Sequence, residues 1–385
     1  MRAVYLILSL IVMFIAMLQK DRKKQLPKDY HLNGYFTITP PARFSLSRFF
    51  EGIYQDSITN FLQDNVGYNG YLIALKDQVD WSVFHQTNFD VCAGQDNTLF
   101  LNGQTKTHCG RQQMPPNELA DKIAQCVALK ALLDSAGIAS VYVMAPGKSG
   151  FFEDKVPAQY LVNCSDDNDY KHILQKYHES NIRVIDMNQW FHTMRATSPY
   201  PLFPRLGLHW SYYGAYLAED SIAKYIANTL HIRMPKNKIS HIKITNKARS
   251  PDDDAVNLLN ILFPMESDSL AYPELSYDDQ PIKPKILIVS DSFTWLFIAS
   301  EQVQHHYRDD SYFWYYKSEL YTIGGGLVTK DINHVNVYEL LKGTEMVVFM
   351  ASEFSYNRMD FEFYHALMAQ PTSIDSLLNP KYHGI

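Results

Sequence analysis

The sequence predicts an α/β fold, a parallel sheet flanked by helices and built around one strand-to-helix turn. Ile286-Leu287-Ile288-Val289 is an apolar run that stops abruptly at Ser290-Asp291-Ser292-Phe293 and gives way to the helix-compatible Thr294 to Ala299. A buried parallel strand and the turn that follows it read this way. Ser140 to Ala145 and Ile182 to Asp186 are two further strand-like runs, with a helical stretch over Asp169 to Glu179 between them. Strands alternating with helices are the signature of a parallel sheet covered on its faces.

A chain of 385 residues holds one large α/β domain, or one domain plus a smaller module. Its 46% hydrophobic and 20% charged residues are ordinary globular composition and exclude a disordered chain. A net charge of −6, with no dense basic stretch beyond residues 20–24, argues against a nucleic-acid partner. The 26 Tyr, 21 Phe and 5 Trp suit sugar-stacking surfaces as well as core.

In chain order, Ala3 to Leu18 is an apolar run broken only by Ser9, with no small-residue cleavage signal after it. It reads as an uncleaved signal anchor, so residues 1–24 form a transmembrane segment with its basic flank. Lys20, Arg22, Lys23 and Lys24 outweigh Arg2, which by the positive-inside rule keeps the rest cytoplasmic. Four scattered cysteines point the other way, as two disulfides such as Cys92–Cys109 and Cys126–Cys164, or else are four buried thiols. Residues 25–48 read as a linker and 49–385 as the α/β domain.

Tyr71 to Phe84 has apolar residues at helical spacing. Gly94 to Gly103 is a turn and a short strand. A helix is expected from Asn117, as N-cap, to Asp134, stopped at Gly137. Ser211 caps a helix to about Leu230 that buries Ala215, Ala218, Ile222 and Ile226. Ser250-Pro251-Asp252-Asp253-Asp254 opens a helix through Ile261, another runs from Ser292 to about Tyr307, Gly324-Gly325-Gly326 is a loop, and Glu345 to Met350 is a last strand.

Ser292 falls at the carboxyl end of a strand and beside a helix N-terminus, whose free N–H groups can stabilise an oxyanion. A serine hydroxyl needs a base to become a nucleophile. His209, in the loop just before the Ser211-capped helix, is the natural partner. Lys148 and Arg205 each read either as solvated loop cations or as binders of an anionic sugar or acyl donor. No P-loop spacing surrounds Lys148, and the residues call for no cofactor and no metal site.

The segments Phe50-Glu51-Gly52, Gln63 to Gly67, Gly94 to Leu101, Pro146-Gly147-Lys148, Gly207-Leu208-His209-Trp210-Ser211 and Ser290-Asp291-Ser292-Phe293 occur in this order. In that order they resemble the SGNH-hydrolase-like domain of the alginate O-acetyltransferase family, from about Phe49 to Leu367. The resemblance implies that Ser292 is the nucleophile and His209 the base of an extracytoplasmic enzyme acting on a polysaccharide. It also implies a membrane-bound O-acyltransferase partner that delivers the acyl group.

The family's acid stands two residues before the histidine, where this chain has Gly207. Three explanations stay open: a Ser-His dyad, an acid from elsewhere such as Asp186 or Glu353, or an inactive relative that binds polysaccharide or serves in assembly. Asp291, next to the serine, is expected to point away from His209.

Overall fold

A computed structural model describes residues 31–34, 40–64, 69–87, 90–162, 164–165, 167–263, 265–278 and 282–370. The apolar run at the N-terminus lies outside them. Among the described residues no helix is long and apolar enough to cross a membrane.

The chain divides into two compact units. The first takes the described residues up to Val91 together with those of Ala255–Met265. It contains helices α1 (Ile53–Asp64) and α2 (Asn69–Phe84), the second matching the periodicity read from Tyr71 onward.

The second unit holds the central sheet. Strands β1 (Val91–Ala93) and β2 (Leu99–Leu101) pair at its start and lead into helix α3 (Asn102–His108). Then follow α4 (Pro116–Ser135), β3 (Ala139–Ala145), the short α5 (Lys148–Phe151), α6 (Asp169–Glu179), β4 (Val184–Asp186), α7 (Met187–Met194) and α8 (Tyr212–Leu230). Helix α4 begins with Pro116 at its first turn, not after Asn117, because a fixed proline φ and a missing N–H cost nothing there.

After α8 come β5 (Asn237–Thr245), a one-turn α9 (Asp254–Asn257) in place of the longer helix expected, β6 (Leu270–Tyr277) and β7 (Ile286–Ser290). The helix expected from Ser292 to Tyr307 is broken into a 3-10 turn at Ser292–Thr294, a helix at Trp295–Ala299 and α10 (Gln302–His306). Glu301 between the last two has φ 60°, a left-handed conformation no helix carries through. The aromatic stretch after it forms strand β8 (Tyr312–Tyr315), followed by β9 (Glu319–Thr322), β10 (Leu327–Thr329) and β11 (Met346–Ser352).

The seven strands lie in the order β10-β9-β8-β7-β11-β3-β4. From β8 to β4 all neighbours are parallel, while β9 and β10 pair antiparallel at the edge. The sheet is therefore mixed. Alternate residues of the central strands point to opposite faces. Leu287 and Val289 join Val347 and Phe349 under α4, through Leu129 and Leu133. Ile286 and Ile288 join Val348 and Met350 under α8, through Ala215, Ala218, Ile222 and Ile226. Full burial of each large apolar side chain contributes about 1.5–3 kcal/mol, so β7 and β11, wholly buried along their lengths, are held in register from both faces.

Register places the carboxyl ends together. Met350 stands opposite Ser290, and Ser352 opposite Ala145. The loops after β7, β11 and β3 thus open on one edge, the usual place for a site in such sheets.

The cysteine pairing expected from spacing is corrected. Cys109 is bonded to Cys164, and Cys92 and Cys126 are buried thiols. The bridge joins the end of α3 to the segment before α6, across 55 residues of sequence. Connectivity among four cysteines has three solutions that spacing alone does not separate. In the chain-entropy account a loop of this size contributes about 4 kcal/mol.

Candidate active site

Strand β7 ends at Ser290, and the chain turns sharply. The turn is built by Asp291, whose Oδ1 accepts the Phe293 N–H at 3.1 Å and so caps the 3-10 turn that carries Ser292. The other oxygen, Oδ2, accepts the N–H and the hydroxyl of Ser352 at 2.8 and 2.7 Å. Asp291 is therefore a clamp between β7 and β11, its two oxygens taken by Phe293 and Ser352. Ser290 is fully buried, and its Oγ accepts from the Thr294 hydroxyl at 2.9 Å.

His209 arrives from the loop before α8. Ser211 caps that helix, its Oγ accepting the Gly214 N–H at 3.0 Å. Trp210 is fully buried, donates its Nε1–H to the Phe293 carbonyl at 3.2 Å, and packs against Phe293 and Phe297 at 5.0 and 5.1 Å. An indole N–H that is buried needs such a partner. This one ties the histidine loop to the serine turn.

The two residues meet. His209 Nε2 lies 2.8 Å from Ser292 Oγ. Behind the ring, His209 Nδ1 lies 2.6 Å from Asp254 Oδ2. Asp254 Oδ1 accepts the Leu208 N–H at 2.7 Å, so the carboxylate grips the histidine loop at two points. A carboxylate on Nδ1 fixes the tautomer that leaves Nε2 free to accept a proton.

Sequence reasoning missed Asp254. It was visible only as part of the acidic opening of a helix, 45 residues after the histidine. Gly207 was the one local hint. A Cβ at 207 would come within 2.6 Å of the Asp252 carbonyl oxygen, so the glycine admits the segment that carries Asp254.

The other candidate acids sit elsewhere. Asp186 caps α7 by accepting the Gln189 N–H at 2.9 Å and accepts the Tyr170 hydroxyl at 2.8 Å. Glu353 faces His108, with Oε1 2.7 Å from Nδ1. Neither bonds to His209.

The two candidate substrate cations turn inward. Lys148 is fully buried, with Nζ donating to the Arg205 carbonyl at 2.8 Å and to the Gly207 carbonyl. It lies over the Phe100 ring at 5.6 Å. Arg205 holds Asp268 through its backbone N–H and its Nε, at 3.0 and 3.1 Å, and donates to the Glu266 and Asp96 carbonyls. Both act here as braces of the loop that leads into His209.

Burial by itself would lower the His209 pKa, but the charge and hydrogen bond of Asp254 outweigh it, with Asp291 and Asp252 adding to the field, and the net shift is upward from 6.5. Asp252, almost wholly buried nearby, has its carboxyl pushed up to about 7 by burial. The imidazolium is thus stabilised at the moment a proton arrives. An NMR titration of the His209 ring is expected to give a midpoint above 6.5 that moves down in Asp254→Asn. A midpoint unchanged by that substitution would separate Asp254 from the ring electrostatically.

Residues 91–261 match the family model described as the SGNH hydrolase-like domain of the acetyltransferase AlgX. That match is to the kind of domain the sequence resembles, and the matched stretch includes His209 and Asp254 and ends before Ser292. Among solved structures, the O-acetyltransferase domain of Pseudomonas putida AlgJ is similar at 16% identity and a TM-score of 0.46, covering 75% of this chain and 98% of that one. Pseudomonas aeruginosa AlgX is similar at 13% identity and a TM-score of 0.47, covering 75% of this chain and 66% of that one. Bacillus cereus PatB1 is similar at 12% identity and a TM-score of 0.44, covering 72% of this chain and all of that one. No curated protein matches the chain.

Proposed function

We propose, from the SGNH hydrolase-like stretch at residues 91–261 and the hydrogen-bonded series Ser292, His209, Asp254, that this chain is a serine O-acetyltransferase or acetylesterase acting on a polysaccharide. The observation that carries the reading is the carboxylate on His209 Nδ1. It favours an enzyme over an inactive component that only binds polysaccharide or serves in assembly, because a dead site has no need of a fixed tautomer.

In the proposed reaction Ser292 Oγ attacks the acyl carbonyl carbon while His209 Nε2 takes the hydroxyl proton. The Ser292 amide, at the start of the 3-10 turn, helps hold the oxyanion. The C–O bond to the donor breaks, and the departing oxygen takes the proton from His209. A sugar hydroxyl then gives its proton to His209 Nε2 and attacks the acyl-serine carbonyl; the bond from the acyl carbon to Ser292 Oγ breaks, and Ser292 Oγ takes the proton back from His209. Water in place of the sugar makes the same chemistry an esterase.

The compartment fits an extracytoplasmic reaction. The Cys109–Cys164 bridge belongs to oxidising surroundings, and residues 1–24 serve in this reading as the membrane anchor, with 25–48 as linker. A membrane-bound O-acyltransferase partner then supplies the acyl group.

The decisive experiment traps the intermediate. Incubation with a surrogate acetyl ester, acid quenching and peptide mapping are expected to place the acetyl group on the peptide containing Ser292 and to find none in Ser292→Ala. Acetylation of another residue, or of none while the ester is turned over, would overturn the assignment.

A further inference from the structure

Of the three side chains in the hydrogen-bonded series, the acid has the least local support. Ser292 rides on the Asp291-capped turn, and His209 on the loop that Trp210 and the start of α8 hold in place. Asp254 arrives on another stretch, residues 249–254, and its contact with the ring spans 45 residues of sequence. That stretch closes on itself twice. The Asp252 N–H donates to the Arg249 carbonyl at 2.7 Å, and the Asp254 N–H to the Pro251 carbonyl at 3.0 Å. Tight turns of this kind fix the shape of a segment but not its place.

Its place is set by two tyrosine hydroxyls on different elements. Tyr212, the half-buried first residue of α8, donates to the Ser250 carbonyl at 3.0 Å. Tyr272, fully buried on β6, accepts the Arg249 N–H at 2.9 Å. The Arg249 guanidinium also lies over the Tyr272 ring at 4.3 Å, a cation–π contact on the same side chain. The two tyrosine rings meet at 5.2 Å, inclined at 59°, so the hydroxyls act from one packed pair. Across the β5–β6 ladder, Tyr272 stands opposite Lys243.

The result is a shared frame. Helix α8 presents His209 just ahead of its first turn and, through Tyr212, grips the segment that brings Asp254 to the back of the same ring. Misplacement by about 1 Å in such a constellation costs on the order of 10^2-fold in rate. An acid carried in the histidine's own loop moves with the ring, whereas one from a separate stretch has to be held there.

We propose that Tyr212 and Tyr272 are positioning residues for Asp254, holding the 249–254 segment through the Ser250 carbonyl and the Arg249 N–H so that the carboxylate stays on His209 Nδ1. The inference rests on the Ser292, His209, Asp254 reading and deepens it by naming what keeps the acid in place.

The first readout needs no turnover. In the full chain, the His209 Nδ1 proton held on Asp254 is expected to give a downfield NMR resonance that disappears in Asp254→Asn. Its exchange with water is expected to be at least about fivefold faster in Tyr212→Phe and in Tyr272→Phe, each of which loses one hydroxyl. The Val348 amide, in the core strand β11, is expected to keep its native exchange rate in Tyr212→Phe, which separates a loosened acid from a loosened fold. Tyr225→Phe, farther along α8, is expected to change neither.

The second readout is steady-state hydrolysis of a surrogate acetyl ester. Tyr212→Phe is expected to lower kcat about five- to tenfold at unchanged KM, and to have no further effect in the Asp254→Asn background. A Nδ1 proton that exchanges at the native rate in both tyrosine variants, or a Tyr212→Phe loss of equal size with and without Asp254, would overturn the proposal. A resonance that survives Asp254→Asn would overturn the relay itself and the proposal with it, a result distinct from the first two.

Discussion

Replacement of Asp254 by Asn is expected to lower ester turnover about 10^4-fold, a smaller loss than the roughly 10^6-fold expected from Ser292→Ala or His209→Ala. The size follows from the two contacts of one carboxylate. Oδ1 accepts the Leu208 N–H and Oδ2 accepts from His209 Nδ1. An asparagine has one oxygen and one NH2 to offer. If the oxygen stays on the Leu208 N–H, the NH2 faces the ring and forces the proton onto Nε2, where it blocks acceptance of the serine proton. If the amide flips, two N–H groups oppose each other at Leu208 and the loop shifts. Steady-state hydrolysis of a surrogate acetyl ester checks this, with thermal unfolding run alongside to confirm the fold. Turnover within about tenfold of the native enzyme would remove Asp254 from the proton relay.

Lys148→Met is expected to change how stability depends on pH. Burial brings the Lys148 amine down to about 7 from 10.5, against the opposing pull of Asp254 and Asp268. Between those two values the unfolded chain holds a proton that the folded chain has released, so native stability rises with pH across this window. The contribution is absent below about pH 7 and reaches up to about 5 kcal/mol near 10.5. A neutral amine still has two N–H donors, enough for both the Arg205 and Gly207 carbonyls. Methionine has none, which leaves both carbonyls unpaired at about 1–3 kcal/mol each, but it also removes the buried charge. Urea unfolding should therefore show the native chain gaining on the variant from pH 7 to 10. A difference that stays flat across this range would place the amine's titration elsewhere.

The fold was legible where a strand is buried on both faces. β3, β7 and β11 read as continuous apolar runs, and α8 announced itself through Ser211 and its buried alanines and isoleucines. β8 was not read as a strand, because Tyr312 to Tyr315 is an aromatic run without alternation. The break at Glu301 was missed because a left-handed residue other than glycine leaves little mark in sequence. Within the site, Ser292 and His209 each stand at an element boundary and could be paired by chemistry. Asp254 could not, since the contact spans 45 residues and depends on how the Asp252–Asp254 segment closes over Gly207. Lys148 and Arg205 carried charge in the sequence but gave no sign that their heads turn inward.

The carboxylate behind His209 is carried by a stretch of chain separate from the histidine loop. An imidazole responds only to a negative oxygen at Nδ1 and is indifferent to which segment brings it, so during divergence the acid can change its address while the relay stays whole. In this chain the position two before the histidine is a glycine, which leaves room for the segment that carries Asp254. Sorting such proteins into working and defunct enzymes by the residue two places before the histidine therefore inspects the wrong coordinate. What separates a pseudoenzyme from a working relative is spatial: whether any carboxylate, from any segment, reaches Nδ1.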